Sequence, residues 1–183
     1  GTYSNGTATY TNSTGGTFSV TGFSDTTMTK RHIVTDGFVI DCGTSYLVNS
    51  GAKFLSFDGS GDYNPMGSYN FGVPSDYVSG GTFYIKLVTL ATTDKVVFVV
   101  NITSRSNGGD MATPTDSGGI IQVVGSATDY AMVETAAIVG ASSTFSPNKN
   151  VVVRLNRDSR EVKDTYEGDA LVWSIVFEYT GIK

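Results

Sequence analysis

The stretch ALVWSIVFEYTG, residues 170 to 181, limits the fold more than any other part of the chain. Leu171, Trp173, Ile175, Phe177 and Tyr179 alternate with Val172, Ser174, Val176 and Glu178, which is the period of two that a β-strand imposes on its side chains. Read as one strand, it lays five large apolar side chains on a single face, and that face has to be buried. The other face is half apolar and calls for partial cover, by a second sheet or by a neighbouring subunit.

The same period recurs upstream. GGTFYIKLVTLAT sets Phe83, Ile85 and Leu87 against Tyr84, Lys86 and Val88, and KVVFVVNITSR follows a Thr-Thr-Asp turn, so the two read as an antiparallel hairpin. GGIIQVVGSA and NVVVRLNRDS add strands, and Val34–Ile40, Ser45–Val48 and Ala52–Phe57 are short β-rich runs parted by Asp-Gly, Cys-Gly and Ser-Gly breaks. FDGSGDYNPMGSYNFGVPSD, from Phe57 to Asp76, has little strand signal and reads as one long loop, a kind that in compact domains is functional or disordered. DYAMVETAAIV fits a helix and a strand equally well. Roughly seven to ten short strands with turns between them make an all-β chain, an antiparallel β-sandwich of jelly-roll type.

Residues 1 to 24 have another texture. GTYSNGTATYT and GGTFSVTGF both begin Gly-Thr-aromatic, and both alternate, but with too few large apolar residues to hold a core alone. They read as a β-rich stalk or linker repeat that leans on a neighbouring chain, with a flexible linker as the alternative, ahead of a head domain over residues 25–183. A chain of 183 residues suits one such head, and the leading Gly1 suggests a fragment of a longer polypeptide.

Charge and motif exclude several functions. A formal net charge of -5 with 12 Lys+Arg offers no basic face for phosphate, so no nucleic-acid partner is expected. No apolar run approaches the roughly 20 residues of a membrane span, so no membrane insertion is expected. Cys42, the single cysteine, sits in VIDCGTSYLV and reads as a buried, inert thiol; His32 is the only imidazole and nothing places it beside that sulfur. DGSGDYN spaces Asp58, Ser60, Asp62 and Asn64 like the start of a calcium loop, but Tyr63 stands where an EF-hand needs Gly and Tyr69 where it needs Glu. No metal and no cofactor are expected. No nucleophile elbow or zinc motif is present, which leaves only a carboxylate pair such as Asp58 and Asp62 for a glycan hydrolase, the least favoured reading.

Two clusters remain. RLNRDSREVKDTYEGDA reads as the hairpin joining the last two strands, with Arg154, Arg157, Asp158, Asp164 and Asp169 as structural ion pairs. The chain has ten Tyr and ten Phe, and Tyr63, Tyr69 and Tyr77 fall in or near the long loop among Asn64 and Asn70. Aromatic faces beside amides suit sugar rings, so Tyr63, Asn64, Tyr69, Asn70 and Tyr77 are the candidate ligand site.

The closing NVVVRLNRD, DTYEGDA and LVWSIVFEYT, with GTFYIKLVT ahead of them, resembles the C-terminal jelly-roll of tailed-phage virion proteins. The opening segment is similar to the Gly/Thr-rich β repeats that precede tail-fibre tips. The resemblance implies a non-enzymatic virion component, commonly trimeric, that attaches to a host cell-surface polysaccharide or protein alongside other virion proteins. The alternative is a secreted carbohydrate-binding or adhesin domain, for which Asn5-Gly6-Thr7, Asn12-Ser13-Thr14 and Asn101-Ile102-Thr103 are formal glycosylation acceptors.

Overall fold

The computed structural model describes residues 2–4, 7–21, 26–40, 44–49, 51–60, 65–90, 92–105, 116–139 and 145–183. Within them the chain is all β. A short three-stranded antiparallel sheet comes first, from β1 (Thr2–Ser4), β2 (Thr7–Thr11) and β3 (Thr17–Thr21). The strands that follow are β4 (Thr27–Val34), β5 (Phe38–Ile40), β6 (Thr44–Asn49), β7 (Ala52–Phe57), β8 (Met66–Gly72), β9 (Tyr77–Val88) and β10 (Lys95–Arg105). The chain ends with β11 (Asp116–Val124), β12 (Met132–Glu134), β13 (Ile138–Val139), β14 (Asn150–Arg157) and β15 (Ala170–Ile182).

Two sheets pack face to face in a jelly-roll sandwich. The first runs β12-β9-β15-β7-β6, with β13 also pairing β9 and β4 also pairing β15. The second runs β11-β10-β14-β8-β5. Inward-facing Phe83, Ile85 and Leu87 of β9 are fully buried in the same core as Val96, Phe98, Val100 and Ile102 of β10. These two strands belong to opposite sheets, so the Thr-Thr-Asp turn carries the chain across the sandwich instead of closing a hairpin. The apolar faces of the two strands thereby meet across the core, where a hairpin would have set them side by side. The last two strands behave alike: β14 and β15 lie in different sheets, and the charged segment between them is a crossing.

β15 is the central strand of its sheet, between β9 on one side and β7 with β4 on the other. Its alternation does not run unbroken. Val172 pairs with Leu87 and Ser174 with Lys86, so Trp173 is an extra residue in the ladder, a β-bulge that exchanges the two faces. Ala170 and Val172 point into the sandwich before it, and Ile175, Phe177 and Tyr179 after it. Leu171 and Trp173 lie outside, against Phe54, Val88 and Ala52. The expected five-residue face is thus split in two, because a period-two count is valid only while each residue has one partner.

The segment from Phe57 to Asp76 is not one loop either. β8 pairs with β14 on one side and β5 on the other, and pairing on both sides overrides its weak strand propensity. Gly67 follows from crowding: a side chain there would stand 2.4 Å from the Leu55 methyl of the facing sheet. DYAMVETAAIV becomes β12 and β13, short edge strands on β9. Cys42 lies outside the described residues.

Around Phe177 the core is aromatic, with the rings of Phe71, Tyr77, Phe83, Phe145 and Tyr179 all centred within 6.3 Å of it. At the other end the inward alternation of β14 runs Val151, Val153, Leu155 and then Arg157, which faces Phe98 and is wholly buried. Its guanidinium places all five N–H donors. Nε and Nη2 each reach one oxygen of Asp164 at 3.0 Å, Nη1 donates to the carbonyls of Phe57 (3.2 Å) and Gly168 (2.7 Å), and Nη2 also donates to the carbonyl of Tyr166. The Val97 N–H donates to Asp164 at 3.0 Å. Removing the cation leaves a buried carboxylate unpaired, which costs about 3–5 kcal/mol. Arg157→Ala is therefore expected to lower unfolding free energy by about that much in urea melts, and Arg157→Lys to recover little of it because an ammonium cannot supply the planar fork.

At the far end of β15, Asp76 accepts from Lys30 and from the Tyr179 hydroxyl at 3.0 Å. The Lys30 hydrogen bond holds the Asp76 carboxyl below its ordinary range, with Tyr179 adding to this. Burial, with the hydrogen bond to Asp76, pushes the Tyr179 phenol up to about 12. Between the unfolded value of 10.0 and 12 the unfolded chain gives up the Tyr179 proton while the folded chain keeps it, so stability falls as pH rises through that window. Thermal melts across it should show a shallower alkaline loss in Tyr179→Phe than in the wild type.

Candidate functional site: a pocket at one end of the sandwich

Where β15 begins, three connections converge: β9 to β10, β11 to β12, and β14 to β15. Together with β6 they enclose a pocket of about 280 Å³ lined by Leu47, Leu90, Tyr130, Tyr166, Asp169 and Leu171. Tyr166 and Leu171 form buried walls, while Leu90 and Tyr130 are half exposed. Asp169 is exposed at the rim and accepts from the Ser56 hydroxyl at 3.1 Å.

The loops are tied to one another through the backbone. Thr92 N–H donates to Ser126 at 2.8 Å, Gly125 N–H to Asp94 at 2.9 Å, and Tyr130 N–H to Thr89 at 3.1 Å. The approach is close enough that a side chain at Gly125 would stand 2.6 Å from the Thr92 methyl. The Leu90 N–H donates to the Tyr166 hydroxyl at 3.1 Å, joining the first loop to the third. Tyr130 is held here at φ 54, in the left-handed region that a bulky residue adopts only under constraint. Such strain persists where the surroundings fix it, and it concentrates at ligand clamps.

Among the described residues, the members of the aromatic site expected from the sequence are not brought together on the surface. Tyr63 and Asn64 lie outside the described residues. Tyr69 is 0% exposed in β8, with its hydroxyl donating to the Val172 carbonyl at 3.2 Å, and Tyr77 is buried with its hydroxyl on Gly80 at 2.6 Å. Both are core residues that satisfy a buried phenol. Asn70 alone of the described members is exposed, beside a shallow groove of about 530 Å³ that it shares with Gly72, Asn150 and Val152. Asp58 has both oxygens on Ser60, capping its own turn, and no group of His, Cys, Asp and Glu among the described residues is arranged to hold a metal.

Of the five residues expected as structural ion pairs, Arg157 and Asp164 pair with each other. Arg154 and Asp158 enter no salt bridge among the described residues, and Asp169 belongs to the pocket. Tyr130, Leu90 and Tyr166 were invisible as site residues because they come from separate connections with no shared spacing. The one usable signal was the large aromatic in the turn-rich SATDYA, a place where it has no core to fill.

No family model matches the sequence, and no curated protein matches it. Solved structures do. A family 35 carbohydrate-binding module from Clostridium thermocellum superposes with a TM-score of 0.50 at 14% identity, over 81% of this chain and 97% of that one. The chain has the fold of that module. An isomalto-dextranase of Arthrobacter globiformis T6, in complex with panose, matches at TM-score 0.50 and 18% identity over 81% of this chain, which spans 23% of the enzyme. At such identities the likeness is one of fold.

If the Tyr130 conformation is held for binding and not for stability, glycine relieves it at no cost to the fold. Tyr130→Gly is expected to melt at or slightly above the wild-type temperature in calorimetry.

Proposed function

We propose that the chain is a non-catalytic carbohydrate-binding module whose site is the end pocket. The observation that carries this reading is Tyr130, half exposed and held at φ 54 over a pocket that joins aromatic and leucine surface to an exposed carboxylate. A sugar ring asks for that combination: apolar C–H faces to lie on an aromatic or aliphatic surface, and hydroxyls to give and accept hydrogen bonds. Asp169 accepts; the Tyr166 hydroxyl takes the Leu90 N–H and donates no hydrogen bond within the described residues, so its proton is free for a ligand oxygen.

Support for binding without hydrolysis comes from the count of acids. A glycosidase places two carboxyl groups about 5 to 10 Å apart across the scissile bond. Among the described residues lining the pocket, Asp169 is the only acid. The jelly-roll shared with the Clostridium thermocellum module agrees with this reading. It favours the carbohydrate-binding alternative over a virion part; attachment to a host polysaccharide, the trimer and the virion location rest on sequence resemblance alone.

Tyr130→Ala should weaken binding to a glycan recognised by the wild type by about tenfold or more, read by isothermal titration, with an unchanged melting temperature. Equal affinity in the two proteins would remove the pocket as the site.

A further inference from the structure

We infer that the pocket selects neutral sugars against anionic ones, and that Asp169 is the residue that makes the distinction; this rests on the carbohydrate reading above. The six lining residues include one carboxylate, two phenols and three leucines, with no Lys, Arg or His. Arg157 has its guanidinium carbon 5.7 Å from the centre of the Tyr166 ring. It is wholly buried with all five N–H donors bonded, two of them to Asp164, so it has none to offer a ligand. The Leu90 N–H is likewise engaged, on Tyr166.

A sugar carboxylate or sulfate entering this pocket finds no countercharge among the lining residues. It meets Asp169 instead, whose carboxylate is exposed at the rim with one oxygen turned to Ser56. A neutral pyranose meets the same carboxylate as a donor, and a hydroxyl on an ionised oxygen makes a hydrogen bond stronger than a neutral one. One residue therefore attracts the neutral ligand and repels the charged one, which is how specificity is gained from like charge. The size adds a second limit. At about 280 Å³ the pocket lies just below the range of roughly 300–1,000 Å³ that holds a drug-sized ligand, so it has room for about one sugar unit.

The test titrates the full chain and Asp169→Asn with glucose, galactose and mannose, and with glucuronate, galacturonate and mannuronate. In the wild type, the best neutral sugar should bind at least about tenfold tighter than the uronate of the same ring stereochemistry, and Asp169→Asn should narrow that ratio by about tenfold. Wild-type preference for a uronate, or a ratio that Asp169→Asn leaves where it was, overturns the assignment while the carbohydrate reading stands. If neither class binds, both fall. Should Asp169→Asn fail to fold, the wild-type ratio alone decides, since equal affinity for the two classes overturns the inference.

Discussion

The guanidinium of Arg157 is the interaction on which the rest of the molecule depends. It occupies the last inward position of β14, where the alternation of the strand has placed Val151, Val153 and Leu155 before it. A charge there is tolerable only because every donor is matched, and the matching atoms come from four residues, one in the facing sheet and three in the crossing between β14 and β15. The Phe57 carbonyl belongs to the facing sheet, Asp164 is shared with the backbone of β10, and Tyr166 and Gly168 belong to the crossing that leads into β15. One side chain thus clamps both sheets and folds the segment between the last two strands. An apolar residue could fill the volume, but it would leave those carbonyls and the buried Asp164 carboxylate without their partner.

The pocket is a consequence of that clamp. Tyr166 and Asp169 flank Gly168, so the bonds that hold the crossing in place also set the pocket wall and its one acid among the described residues. The bulge at Trp173 then turns Leu171 outward, into the pocket lining and against Phe54 and Val88. Without the extra residue, the aromatic half of β15 and its first residues could not both be served by one strand. From Leu171 to Ile182 the strand spans about 35 Å at roughly 3.3 Å per residue. At its far end, the Lys183 N–H donates to Thr26, so the point where the N-terminal sheet connects lies at the opposite end of the sandwich from the pocket.

The fold class was legible in the sequence because period two marks the long strands even where a bulge resets it: Phe83, Ile85 and Leu87 lie inward as the alternation requires, and β15 is central as its density of apolar residues demands. What failed to read was pairing. Nothing local distinguishes a turn that closes a hairpin from one that crosses between sheets, so Thr92, Thr93 and Asp94 looked like the former. β8 escaped notice because Met66, Gly67, Ser68 and Asn70 carry no strand propensity of their own, and its place is set by β14 and β5. The same error misassigned Tyr69: taken as a loop aromatic it suggested a ligand, and taken as an inward strand residue it is core. The pocket was illegible for a deeper reason. Leu47, Leu90, Tyr130 and Asp169 are joined only by the crossings, and the decisive fact about Tyr130 is a backbone angle.

A pocket of this size bears on how such a module would have to work. At about 0.3 kcal/mol per heavy atom, a single sugar unit of about twelve heavy atoms gains roughly 4 kcal/mol, a dissociation constant near the millimolar range. A site that weak holds nothing as a lone monovalent binder. It becomes useful when a second attachment raises the effective concentration, either through copies of the same module or through a tethered domain. The geometry suits this, because Thr26, from which the chain runs back towards its N-terminal sheet, lies at the end of the sandwich remote from the pocket, so a tether there leaves the pocket unobstructed. Strain at Tyr130 has the same logic: a clamp fixed in advance by loop-to-loop hydrogen bonds loses less freedom on binding, and for a ligand that offers so few contacts that saving is a large share of what affinity there is.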